Sequence, residues 1–188
     1  MGQRFPEVSD RHAAFIAAQK IFFVATATAD SRINLSPKGL DSFRLLGPKR
    51  ALWLNLTGSG NETAVHVRED GRMTVMFCAF DGAPLILRLY GRAQVHHRRD
   101  PAWSEVAAPF PAEMLVPGAR QIVDLSIELV QSSCGFAVPL FDYVGDRTIL
   151  TAWAAQKGED GIADYWRQKN THTLDGQPTE IAALNLGE

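Results

Sequence analysis

The chain has 188 residues, a formal net charge of -2, ten Phe and four Trp. That length supports one well-buried core and is short for two, and so balanced a charge argues against a generic nucleic-acid or anionic-membrane binder. Two cysteines, Cys78 and Cys134, are too few for a disulfide scaffold or zinc cluster, and their apolar surroundings predict buried, reduced thiols.

In chain order, Ser9 can cap a first helix in which Ala13, Phe15 and Ile16 follow at roughly helical spacing. Ile21 to Thr28 is rich in β-formers, Ala29 to Arg32 can turn, and Ile33 to Ser36 resumes as a strand, so 21–36 reads as a hairpin. Pro37 and Gly39 then place Lys38 on a loop at a strand end. Phe43 to Leu46 and Ala51 to Leu56 read as strands about a Gly47–Arg50 turn. Arg72 to Phe80 is apolar on both faces and reads as a central strand, Asp81-Gly82 as a hairpin turn, and Pro84 to Val95 as an alternating strand. Residues 100–119 carry four prolines and read as a surface excursion, followed by a long strand from Ile122 to Val130. Beyond Gly135 the pattern turns helical, with one helix capped by Asp146 and ending at Gly158, and a second beginning at Glu159 or Asp160. Asn170 to Pro178 is a polar, turn-rich tail. A single domain over 1–188 is expected, with a barrel core over about 20–135 and a C-terminal helical extension over about 140–188. The expected class is mainly β (α+β), an antiparallel sheet closed into a barrel to avoid long bare edges.

The most informative stretch is Leu52 to His66. A strand ends in Gly58-Ser59-Gly60, and Ser59 with Glu62 three residues later forms a capping-box pattern for a helix running to about Asp70. Strand, glycine turn and helix N-terminus together aim backbone N–H groups at an anion such as a phosphate. Gly58-x-Gly60-x-x-Thr63 also approaches the dinucleotide fingerprint. Thr63 in place of the third glycine, and hairpin spacing where crossover helices belong, make a Rossmann-type NAD-binding protein a distant alternative.

Asn34 to Gly39, Leu54 to Thr63, Arg72 to Phe77 and Leu87 to Ala93, in that order, resemble the pyridoxamine 5'-phosphate oxidase-like FMN-binding split-barrel family. The resemblance spans roughly residues 10–135, and Ser133 to Pro139 with Lys169 to Pro178 resembles the tail of one branch of it. It implies a six-stranded antiparallel split β-barrel with flanking helices, a homodimer, and FMN in grooves at the subunit interface. Carried over by position, Asn34, Ser36 and Lys38 would line the groove near the flavin ring or ribityl chain, and Asn55 and Thr57 would follow the ribityl chain. Ser59, Asn61 and Thr63 would hold the phosphate. Family members that hold phosphate tightly often place Arg and Lys where this chain has Glu62 and Thr63; Glu62 either lies by the phosphate, where it would weaken binding, or turns back onto its own helix, and the capping-box spacing favours the second. The vitamin B6 oxidase itself is a poor match, because its basic cluster and C-terminal Arg-plus-His pair are missing here.

The resemblance implies an FMN-dependent oxidoreductase moving hydride or electrons between reduced nicotinamide or a small organic substrate and an acceptor. A non-catalytic flavin or haem carrier or sensor on the same barrel is the alternative. No catalytic side chain is named and no metal-ligand spacing emerges. His96 and His97 point to opposite faces of a strand and read as its solvated end. The homodimer expectation also follows from residues 72–80, whose two apolar faces need more cover than one such barrel supplies. No nucleic acid or membrane partner is expected. The N-terminus lacks a signal-peptide pattern and no apolar run is long enough to span a membrane, so a cytoplasmic location is expected.

Overall fold

The computed structural model describes residues 2–115 and 117–188. Its strands are β1 (Gln3–Phe5), β2 (Phe22–Thr26), β3 (Asn34–Lys38), β4 (Phe43–Gly47), β5 (Arg50–Leu56), β6 (Arg72–Cys78), β7 (Ile86–His97) and β8 (Ala119–Ser133). The sheet runs β3-β2-β6-β7-β8-β5-β4, with β1 added on β8, and its named pairings are antiparallel. The mainly antiparallel architecture with flanking helices is as expected, but the sheet has eight strands and remains open between β3 and β4 rather than forming a closed six-stranded barrel. The short β1, which carries no apolar alternation, escaped the sequence pattern.

Hairpin connectivity fixes the register. Asp81 and Gly82 lie in the turn that joins β6 to β7, where Cys78 faces Ile86. The β7–β8 ladder shifts register between Tyr90 and Gly91, and a Cβ at Gly91 would meet the Ser126 carbonyl oxygen at 1.9 Å. Only a residue without a side chain lets the two backbones approach so closely.

Helix α1 (Asp10–Ala18) begins as expected at Ser9, whose hydroxyl accepts from the His12 N–H. Helix α2 (Glu62–Glu69) lies across the sheet and buries Thr63 to Val67. The strand buried on both faces is β5, not β6. Ala51 and Trp53 enter one core with Phe22, Val75, Phe77 and Leu89, whereas Leu52 and Leu54 enter a second with Val106, Phe110 and Ile122. That second core is built from the proline-rich stretch expected to be a surface excursion. It contains α3 (Trp103–Ala107) and α4 (Ala112–Leu115), and the prolines bound these short helices while their apolar residues pack inward. The inner face of β6 (Met73, Val75, Phe77) is buried within the chain, so it leaves no large bare surface.

The two expected C-terminal helices are both present within Ile149–Lys169 (together α5), divided as expected at Gly158, whose non-helical φ of 65° and ψ of -177° suit glycine alone. Thr148 rather than Asp146 precedes it, without a side-chain capping bond. The chain ends in a π-helical turn, Ala182–Leu186. That turn also corrects the reading of the histidine pair. His97 is buried with its Nδ1 2.9 Å from Asn185 Oδ1, and His96 is buried 3.9 Å from Asp124, so neither is solvated. Cys78 is buried as expected, whereas Cys134 is exposed, because β8 ends at Ser133 and the chain leaves the core there.

Candidate functional site

At one end of the sheet, β3, β5, the Gly58–Asn61 turn, the start of α2 and the tail at His172–Asp175 enclose a cleft of about 650 Å³. Asn34, Ser36 and Lys38 enter it from β3, where alternation sends every second side chain to one face. Lys38 is the last residue of β3 rather than a loop residue, because Pro37 can sit in a strand at the open edge of the sheet. Asn55 enters from β5, and Ser59, Asn61 and Thr63 from the turn and the first helical residues. Seven of the eight residues singled out in the sequence therefore meet at one cleft.

Thr57 is the exception. It is 1% exposed, donates its hydroxyl to the Gly118 carbonyl at 2.9 Å and accepts from Trp166 Nε1 at 2.9 Å. Its side chain ties α5 to the sheet and does not line the cleft. The parity of β5 gives the reason, since Asn55 and Thr57 share a face only while the strand continues, and it ends at Leu56.

The expected capping box does not form. The helix begins at Glu62, Asn61 occupies the cap position without a side-chain hydrogen bond, and Ser59 is exposed. The Glu62 carboxylate instead accepts from the Leu174 N–H at 3.3 Å, and it faces Lys38 and Arg120. Two cations and a tail amide offer it more than its own helix end does.

Arg120 was missed by the sequence reading. It sits at the start of β8, is 3% exposed, and lines the cleft. Its Nη1 donates to Asn170 Oδ1 at 2.8 Å and to the Gly58 carbonyl at 3.4 Å, while its Nε finds no partner among the described residues. Burial pulls its pKa down to about 10, against a smaller opposing pull from Glu62. The one available signal was an Arg120-Gln121 pair at the head of a strand that continues as Ile122-Val123. Asn61 is 2% exposed, and among the described residues neither its amide oxygen nor its amide nitrogen has a partner. Each unmet buried group costs about 1–3 kcal/mol, so the arrangement favours a ligand that supplies acceptors and donors at this end.

Further along, Lys38 Nζ lies 5.0 Å from the centre of the Trp53 ring. Burial lowers its pKa to about 8, the Arg120 charge adds to the fall, and Glu62 opposes it. The Asn34 amide donates to the Thr63 hydroxyl at 3.0 Å, and Thr63, Thr26 and His66 continue as a buried polar chain behind the cleft wall. Asn55 donates to Gln121 Oε1 at 3.0 Å. The outer rim is apolar and open, with Ile33 and Leu174 at 77% and 75% exposed. The tail is held over it by the Arg32–Asp175 ion pair and by the Arg32 N–H, 2.9 Å from Asp175 Oδ2. The cleft thus has a hydrogen-bonding end at the glycine turn, where Lys38 and Arg120 outnumber Glu62, and a mouth where the apolar Ile33 and Leu174 flank the Arg32–Asp175 pair, which suits an amphiphilic anion of cofactor size.

A sequence model of the family "Pyridoxamine 5'-phosphate oxidase" matches residues 8–134. The pyridoxamine 5'-phosphate oxidase family protein ustO of Aspergillus flavus is 37% identical over 198 residues, spanning 96% of this chain and 78% of that one. Among solved structures, HupZ of Group A Streptococcus superposes with a TM-score of 0.53 at 18% identity, over 65% of this chain and 91% of its own. A candidate pyridoxamine 5'-phosphate oxidase of Lactobacillus delbrueckii gives a TM-score of 0.52 at 20% identity, over 67% and 94%. These two likenesses concern the fold.

The Lys38 environment makes a prediction about stability. The ammonium titrates at about 8 in the folded chain against an ordinary 10.5, so between those values the unfolded chain binds more protons and stability rises with pH. Below pH 8 the full cost of burying the charge is present. Lys38→Met should therefore stabilise the chain at pH 7 by roughly 1–2 kcal/mol, a figure reduced for the solvent the side chain still meets. The advantage should fade as pH approaches 10.5. Urea unfolding at both pH values checks this, and a difference that does not change with pH contradicts it.

Proposed function

The chain belongs to the pyridoxamine 5'-phosphate oxidase family, and on that premise we propose that its cleft holds FMN, with the phosphate at the Gly58–Thr63 end. The observation that carries this reading is the buried Arg120 guanidinium, which no carboxylate pairs directly among the described residues, beside an Asn61 amide with both atoms unpartnered there. The residues present fit a phosphate monoester. Arg120 supplies charge, Asn61 and Ser59 supply polar side chains, and the first turn of α2 adds its N–H groups and dipole. Asn34, Ser36, Lys38 and Asn55 would line the rest of the group. Thr63 would support the site through Asn34.

When bound, FMN supplies hydride and electron transfer. The chain's own residues would bind and orient it. Lys38, held against Trp53, would set a cation beside the ring of the bound group, and with its pKa lowered to about 8 it could hold or release a proton near neutral pH. The activity proposed is that of an oxidoreductase passing hydride or electrons between reduced nicotinamide or a small organic substrate and an acceptor. Retention of FMN without turnover with NADH or NADPH would leave a flavin carrier. A haem carrier is less well served, because the one histidine among the described lining residues, His172, is exposed at the rim.

A homodimer is part of the same proposal. Residues 136–149 leave Phe136, Leu140, Phe141, Tyr143, Val144 and Ile149 at 55% to 98% exposed. Side chains of that size expose on the order of 800 Å² together, about one partner's share of a standard interface and more apolar surface than monomers usually leave bare.

The chain should bind one FMN per subunit and favour it over riboflavin by about 2–4 kcal/mol, the worth of one or two charge-assisted hydrogen bonds at a helix N-terminus. Titration of both ligands, followed by quenching of flavin fluorescence, checks this; equal affinities would mean that the phosphate is misplaced. Sedimentation at micromolar protein should give twice the 20.7 kDa chain mass, and a monomer would remove the second copy from the proposal.

A further inference from the structure

Asn170, immediately after α5, lies outside the 8–134 span of the family match, yet it is completely buried against the phosphate end of the cleft. Its Nδ2 donates to two carbonyls of the glycine turn, Gly58 at 3.0 Å and Ser59 at 3.2 Å. Its Oδ1 accepts from Arg120 Nη1 at 2.8 Å, and its own backbone carbonyl accepts from the Thr179 hydroxyl. The orientation of the amide follows from this chemistry, since the donor end must face carbonyl oxygens and the acceptor end must face a guanidinium.

We propose that Asn170 is a positioning and specificity-determining residue for the phosphate-bearing end of the ligand, an inference that rests on the reading of the cleft given above. One amide holds both parts of the anion site. It ties down the glycine turn that lines the cleft, and it holds the arginine that carries the charge. Because the amide is neutral, it satisfies one N–H of Arg120 without cancelling the positive charge, which remains available to a phosphate. A carboxylate at 170 would form a buried ion pair with Arg120 and would set negative oxygens against the Gly58 and Ser59 carbonyls. Alanine would release both the turn and the arginine. The C-terminal extension thereby sets what the family core can bind at this end.

The test titrates the ligand-free chain with FMN and with riboflavin, for wild type, Asn170→Ala, Asn170→Asp and Thr179→Val, with thermal unfolding recorded for each. Riboflavin carries the same ring and ribityl chain without the phosphate, so the ratio of the two affinities reads the anion end alone. Asn170→Ala should lower FMN affinity by about tenfold or more while riboflavin changes by less than about threefold. Asn170→Asp should lower it further, by about a hundredfold, because it neutralises Arg120 as well as losing the turn. Thr179→Val removes the hydroxyl that anchors the Asn170 backbone and accepts from the Ile181 N–H at 3.4 Å, should fold even where the others do not, and should shift the ratio the same way by a smaller factor. A wild type that binds both ligands equally overturns the placement of the phosphate, and this inference with it. A wild type that discriminates, with variants that keep its ratio, overturns the inference alone. Parallel loss of both ligands in the variants marks Asn170 as structural only and also overturns it.

Discussion

Arg120 holds a positive charge at 3% exposure with no carboxylate paired to it among the described residues, and much of the surrounding structure follows from making that placement tolerable. Removing an ion from water costs several kcal/mol even after relaxation, and a neutral amide and one carbonyl return only part of that. The remainder is offset by the neighbouring cores. β8 carries Arg120 toward the cleft and sends Ala119 and Ile122 into the packing below α3, which anchors the strand rigidly. Glu62 supplies a negative charge nearby without making a direct pair. A site that keeps an uncompensated charge in place is less stable alone than when an anion arrives, and that difference is available as binding energy.

The C-terminal third performs structural work that the family core does not contain within its matched span. Trp166 bonds to Thr57, Asn170 to the glycine turn and Arg120, and Leu174 to Glu62. Three successive regions of the extension thus hold three successive parts of the stretch from Thr57 to Glu62. The tail loop is shaped by the Thr173 N–H donating to Gln177 and by Gly176 at a φ of 80°, which lets the chain reverse and bring Asp175 to Arg32. The extension is therefore a wall of the cleft, and the cleft's outer boundary depends on contacts between residues far apart in sequence, Arg32 and Asp175 among them.

The strands from β2 onward were legible in the sequence, because alternation and turn residues are local signals, whereas the convergence of Asn34, Ser36, Lys38, Asn55, Ser59, Asn61 and Thr63 was implied by the family resemblance and by no local pattern. Arg120 was not legible, since one arginine in a strand looks the same whether it faces water or a cleft until the partner strand is placed. Thr57 and Glu62 failed for related reasons. The hydroxyl of Thr57 was claimed by a tryptophan 109 residues away, and Glu62 abandoned a good local capping pattern for a tail amide 112 residues away. Local propensity decided the elements, and tertiary competition decided which polar groups remained free. The histidine pair shows the same effect, buried by a terminal turn that has no periodic signature.

On the proposed reading, the Arg120 charge is held for a ligand rather than for the fold. Arg120→Gln separates the two directly, because glutamine can still donate to Asn170 while carrying no charge. Its stability in urea and its affinities for FMN and riboflavin should be measured together at pH 7. The expected result is stability equal to or above wild type, since a buried charge has been removed, and an FMN preference that falls to within about threefold of riboflavin. A folded Arg120→Gln protein that keeps the full preference for FMN would contradict it.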